Sequence, residues 1–233
     1  MQAWASFGAA GTAFARAVFA ALTLAGVAWS GTTDWAIVRR EARRITAGGI
    51  GLAGFQYCYF EAVPAVGVSV STAIAIGLAP VFTGAAAWVT SARPSTPWLL
   101  GTCFSLIGLA MMLLGPVESS GRLLAGIVWS TLAAGMFSLQ IFAIERCTKT
   151  EWPKAAALAW MFAVAGLVLA PLGLPEIAAQ WPVDLRELTL VLYLGSITAG
   201  LAYWLFAAGA KVIGAPMAAT ISVLEPATAV LLA

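Results

Sequence analysis

Residues 54–88 read GFQYCYFEAVPAVGVSVSTAIAIGLAPVFTGAAAW, and their only charge is Glu61. The stretch is too long for one crossing of a hydrocarbon core about 30 Å thick, which a helix spans in about 20 residues. It divides at PAVGVS (64–69). Pro64 and Gly67 are expected to break the helix there, with Ser69 capping the next one. Two membrane helices follow, over 47–64 and 69–89.

Six further apolar runs of similar length lie outside this pair, at 8–29, 98–115, 123–144, 155–175, 188–210 and 215–233. No strand alternation of the kind a membrane barrel needs is present. Of 233 residues 61% are hydrophobic and 9% charged, where a soluble domain carries about 25% charge. The mean hydropathy is +0.93. These runs predict an all-α integral membrane protein with eight transmembrane helices visible and no soluble domain. The lipid bilayer is thus the first partner. A net charge of +2 excludes nucleic acid as an expected partner. Cys58, Cys103 and Cys147 show no paired spacing and read as unbridged small hydrophobes.

The basic residues set an orientation. Arg39, Arg40, Arg43 and Arg44 fall between the first two runs, Arg93 between the third and fourth, Arg146, Lys149 and Lys154 between the fifth and sixth, and Lys211 between the last two. The alternate connections hold Arg122 and Arg186. Nine against two places the basic loops in the cytoplasm and makes this a multi-pass cell-membrane protein.

The opening stretch has an echo. At a shift of 146 residues, Gly49 meets Gly195, Ala53 meets Ala199, Gly54 meets Gly200, Tyr57 meets Tyr203 and Phe60 meets Phe206. Ala62 then meets Ala208, Val66 meets Val212, Ala73 meets Ala219, Leu78 meets Leu224, Pro80 meets Pro226 and Ala87 meets Ala233. The matched helices are five apart in the series, so they cross in opposite directions, as in inverted-repeat transporters. The expected division is 1–121 and 122–233. The first repeat lacks its first helix and the second its last, so the complete protein is expected to have ten helices in two inverted sets of five.

Together with AFARAVFAALTLA (13–25), residues 54–88 and LAYWLFAAGAKVIGAPMAATISVLEPATAVLLA (201–233) resemble the drug/metabolite transporter superfamily, in particular its EamA-like transporter family. The resemblance covers nearly the whole chain. It implies alternating-access movement of small metabolites, amino acids or drugs. Family members often carry a Gly-Glu pair after the fourth helix, where this chain reads VTSARPS (89–95).

Candidate substrate-binding residues are those whose chemistry is out of place in lipid. Glu225 stands about 15 Å into its run, near the midplane. A carboxylate there costs at least about 2.5 kcal/mol, so it should be protonated, paired or facing a wet cavity. Pro226 removes the donor that would bond the Ser222 carbonyl, which makes a plausible proton or cation site. Its counterpart Pro80 frees the carbonyl of Ile76, with a plain kink as the rival reading. Arg16 needs an acidic partner, either Glu225 or a substrate carboxylate, against a structural ion pair or snorkelling. Gln56, Tyr57, Tyr203 and Trp204 offer hydrogen bonds and aromatic faces, with Gln140 and Trp160 as weaker candidates. Each could instead serve packing. Glu61 lies near a helix end and reads as solvated.

GGIGLAG (48–54) has the spacing of a dinucleotide fingerprint but opens a membrane helix rather than following a strand. Gly49 with Ala53, and Gly195 with Ala199, read instead as close helix contacts. RREARR (39–44) reads as a topology signal, with lipid headgroups a lesser option. No P-loop is present, and the absence of histidine removes HExxH zinc sites and Ser-His pairs. The leading reading is a secondary transporter of small organic solutes. It needs no cofactor and no metal, couples to a proton or cation, and leaves a homodimer open. The alternatives are an intramembrane enzyme or a truncated, non-transporting remnant.

Overall fold

The computed structural model describes residues 7–28, 35–89, 96–113, 121–150 and 152–224, and no strand forms among them. In chain order the helices are α1 (Gly8–Ala28), α2 (Trp35–Gly77), α3 (Ala79–Val89), α4 (Thr96–Leu113), α5 (Leu123–Thr148), α6 (Lys154–Ala179) and α7 (Leu185–Gly195). A π-helical turn (Ser196–Leu201), α8 (Ala202–Ile213) and α9 (Ala215–Ser222) complete the order. Every apolar run is helical over most of its described residues. This is an all-α membrane fold. Among the described residues, five stretches are long and apolar enough to cross a bilayer: Gly8–Ala28, Trp35–Trp88, Leu123–Thr148, Lys154–Ala179 and Leu185–Ile213.

Two expectations need correction. Pro64 does not break α2, which runs through it and leaves helical geometry only at Gly67 (φ 80°, ψ 164°). A proline removes one donor, and the helix survives that loss here. The four arginines at 39–44 do not lie in a loop either. α2 begins at Trp35, so they sit on its first turns, with Glu41, Ile45, Gly48, Gly49 and Leu52 forming the buried stripe beneath them. That spacing of four, three, one and three is the helical period.

The chain separates into two compact units, Met1–Ala53 with Ala143–Val212, and Gly54–Phe142 with Ile213–Ala233. In the first, α1 packs mainly on α6 and also on α7 and the π turn. Its buried seam of Ala10, Ala13, Ala17, Ala20 and Leu24 alternates steps of three and four, so one face of small side chains meets α6. A Cβ on Gly173 would stand 2.4 Å from Phe14 Cβ and 2.8 Å from the Ala10 carbonyl oxygen. Gly49 is equally tight against Val164, at 2.5 Å, and Gly195 against Phe19, at 2.4 Å. Glycine at these sites lets the backbones touch, which is how helices associate where lipid removes the hydrophobic drive. The glycine-rich stretch is therefore packing surface. Glu176 Oε2 accepts the Gly11 N–H at 2.6 Å, which satisfies one of the four orphan donors at the start of α1.

In the second unit, α2 turns at Gly67 and runs back beside itself, Tyr59 sharing a 2.8 Å hydroxyl bond with Thr72 across the turn. Ala65, Val66, Val70 and Ile74 pack with Leu78, Leu109 and Ile127, so α4 and α5 hold the turn shut. Gly214, before α9, repeats the conformation of Gly67, with φ 80° and ψ 161°. The two glycines lie 147 positions apart, one more than the sequence shift.

A Cβ at Gly67 or at Gly26 would meet no atom within 4 Å, so only backbone preference separates them. Gly67 occupies a region that is essentially restricted to glycine, at about 1–3 kcal/mol for other residues. Gly67→Ala is therefore expected to lower the thermal midpoint in detergent, while Gly26→Ala, inside α1, leaves it unchanged or slightly raised. Equal midpoints for the two variants would contradict the turn geometry.

Candidate functional site

The second unit contains an interrupted helix at Gly77–Ala79. Pro80 has no N–H, so the Ile76 carbonyl loses its usual donor. The Val81 N–H turns to Leu78 O at 3.0 Å, and Phe82 reaches the same oxygen at 3.3 Å. That releases Gly77 O, the ordinary partner of Val81. Ser105 Oγ on α4 donates to it at 2.8 Å. Ala79 O accepts from Ser138 Oγ on α5 at 3.1 Å and from Thr83 Oγ1 at 2.9 Å. Thr83 also approaches Pro80 O at 3.0 Å, and Ser138 approaches Ala134 O at 2.8 Å. Three hydroxyls from α3, α4 and α5 thus hold a break that lipid would otherwise leave exposed.

Pro80, Thr83, Ser105 and Ser138 are all buried. Each hydroxyl oxygen keeps lone pairs after donating its proton, so the break presents a cluster of oxygens able to receive a cation or a donor group. Thr102, one turn before Ser105, and Ser130 on α5 are buried with no hydrogen-bond partner among the described residues. Sequence reading passed over Ser105, Ser138 and Thr83. The signal available was three hydroxyl residues inside apolar runs, each too ordinary in a helix to stand out.

The other candidates divide between the units. In the second, Gln56 and Gln140 are buried. Tyr57 meets Trp129 edge-on at 5.9 Å, and Pro80 is the break itself. In the first, Arg16 is half-buried on α1, and its carbonyl oxygen lies 3.1 Å from where a Gly195 Cβ would stand. Tyr203 packs edge-on against Phe162 at 5.3 Å. Trp160 meets Trp35, the first residue of α2, at 5.6 Å, which draws it to the end of the unit. Trp204 is 38% exposed, facing outward rather than into its own unit. Thr23 on α1 donates to Ser196 at 2.9 Å, joining α1 to the start of the π turn. Glu225 and Pro226 lie outside the described residues.

The EamA-like transporter family matches over residues 124–233. The match covers just under half of the chain. The resemblance read from the residues is borne out, and the match begins at the second residue of α5. The uncharacterized transporter YwfM of Bacillus subtilis (strain 168) is 35% identical over 183 residues, which make up 78% of this chain and 60% of that protein. The chain thus spans about three fifths of that relative. A protein crystal structure superposes with a TM-score of 0.73 at 19% identity, covering 99% of this chain and 81% of the other. At that identity the likeness speaks for the fold.

Ser105 is the only hydroxyl seen on Gly77 O among the described residues, whereas Ala79 O has two. Ser105→Ala is expected to destabilise by about 1–3 kcal/mol, the cost of an orphaned buried carbonyl, and Ser138→Ala by less. Thermal unfolding in detergent reads the order, and a reversed order would contradict the bonding at the break.

Proposed function

We propose that the chain works as a secondary-active membrane transporter that moves small organic solutes by alternating access. The observation that carries this is the helix interruption at Gly77–Ala79, held open by hydroxyls from three helices. Broken helices whose freed carbonyls meet polar side chains are the usual way a transporter builds a binding site inside lipid. The family match and the printed name of the B. subtilis relative support the transport reading. The matching glycine turns at 67 and 214 support two inverted repeats, 1–121 and 122–233. Basic connections face the cytoplasm in this reading, as the charge asymmetry predicts.

The substrate is a metabolite, amino acid or drug, and its contacts are drawn from two groups. Gln56, Tyr57, Pro80 and Gln140 supply amide, phenol and carbonyl groups. Arg16, Trp160, Tyr203 and Trp204 supply a cation and aromatic faces, and Glu225 with Pro226 forms the coupling site. Few charges among them favour a neutral or zwitterionic ligand. A carboxylate at mid-depth gains or loses a proton at a cost set by the cavity around it, so Glu225 is the group through which a proton gradient acts.

In proteoliposomes, Glu225→Gln is expected to abolish solute flux driven by a pH gradient while the protein still inserts. Full flux in the variant would end the coupling role. Thermal unfolding against a panel of metabolites tests transport itself: a binder is stabilised by at least one solute. No shift with any of them would favour the non-transporting remnant.

A further inference from the structure

One charged surface has no part in the transport reading. It is built by the first turns of α2 together with the end of α5 and the start of α6, all in the first unit. Arg39, Arg40, Arg43 and Arg44 are exposed on α2, and Arg146 and Lys149 on α5, with Lys154 half-exposed at the start of α6. Gly48 packs against Ala143 of α5 and Met161 of α6, and buried Cys147 lies in the field of Glu41 and Arg44. These contacts bring the three helix ends together.

The acids on this surface point inward. Glu41, with a side chain 6% exposed, takes Arg44 at 2.7 Å and Arg40 at 3.5 Å. Glu145 is also buried and pairs with Lys149 one turn on. Seven bases thus stand over two inward-facing acids among the described residues, and the connecting sequences that flank these helix ends add two more acids, Asp34 and Glu151. Arg39 and Arg43 have no acid within pairing distance among the described residues. They are four apart and so lie on one stripe of the helix. Arg43 is four residues, about 6 Å, before the apolar run that starts at 47, and Arg39 about 12 Å. The two bracket the level of the lipid phosphates, Arg43 well within and Arg39 just beyond the roughly 10 Å over which surface charge is felt. Trp35, 61% exposed one turn further out, is the side chain that settles at such a boundary.

We infer that Arg39 and Arg43 form a binding site for the phosphate headgroups of anionic phospholipids. A guanidinium holds a phosphate through two parallel hydrogen bonds, and two of them on one stripe can clasp a single headgroup. Glu41 gives the site its selectivity. By engaging Arg40 and Arg44 it leaves the outer pair as the open cations.

Titration of the purified full chain with phosphatidylglycerol in an uncharged detergent, followed by native mass spectrometry, tests this. R39Q/R43Q is expected to bind the lipid about tenfold or more weakly, R39K/R43K to retain most binding, and R186Q, at a distant basic residue, to match the unmodified chain. All three variants should unfold at the same temperature, since the side chains are exposed. Three outcomes would overturn the site: undiminished binding by R39Q/R43Q, phosphatidylcholine binding as tightly as phosphatidylglycerol, or displacement of the lipid by millimolar inorganic phosphate.

Discussion

A peptide carbonyl inside a bilayer has no water to bond. That constraint governs the protein more than any single side chain does. It allows only helices in the apolar runs, and it demands that any departure from helical bonding be repaired by a neighbour. The departure at Gly77–Ala79 is repaired from α4, α5 and α3, and the one at the start of α1 by the Glu176 carboxylate from α6. The repairs by Ser105, Ser138 and Glu176 each pin one element to another. The irregular points of the backbone are therefore also points where the helices are fixed in place, and a site built on them comes ready positioned.

The second organising influence is the economy of small side chains. Lipid tails are as apolar as leucine, so helices gain little from hiding large hydrophobes and much from close backbone contact. The alanine seam of α1, together with Gly49, Gly173 and Gly195, puts backbone beside backbone, while Leu167, Leu172 and Leu205 turn outward. The usual inside-out rule of soluble domains is relaxed here. Bulk faces the solvent, and the solvent is oil.

Much of the fold was legible because length and apolarity are strong signals. The helix ends at Ala28 and Ala215 fall within a residue of the apolar runs, and the resemblance carried by 54–88 and 201–233 agrees with the family match over 124–233. Local chemistry read less well. Pro64 looked like a breaker and is absorbed, because one missing donor is cheap beside the turn that only glycine can make three residues later. The arginines looked like a loop because charge ends an apolar run, yet nothing in RREARR opposes a helix. Pro80 was found as an interruption, but the hydroxyls that make use of it were not. A serine's role depends on which carbonyl the tertiary fold brings to it, and that information is non-local. For the same reason the sequence could name Gln140 without assigning it a neighbour.

The glycine turns at 67 and 214 pair residues differently from the letter-by-letter match. Counting back from Gly214, ten residues reach Trp204; the same count from Gly67 reaches Tyr57. Letter-by-letter matching instead joins Tyr57 to Tyr203. One surplus residue therefore rotates the face of α8 by roughly 100° relative to its counterpart, setting an indole in the place of a phenol. The stretches that lead into the two glycine turns thereby carry unlike groups at the same distance from the turn, a phenol before Gly67 and an indole before Gly214.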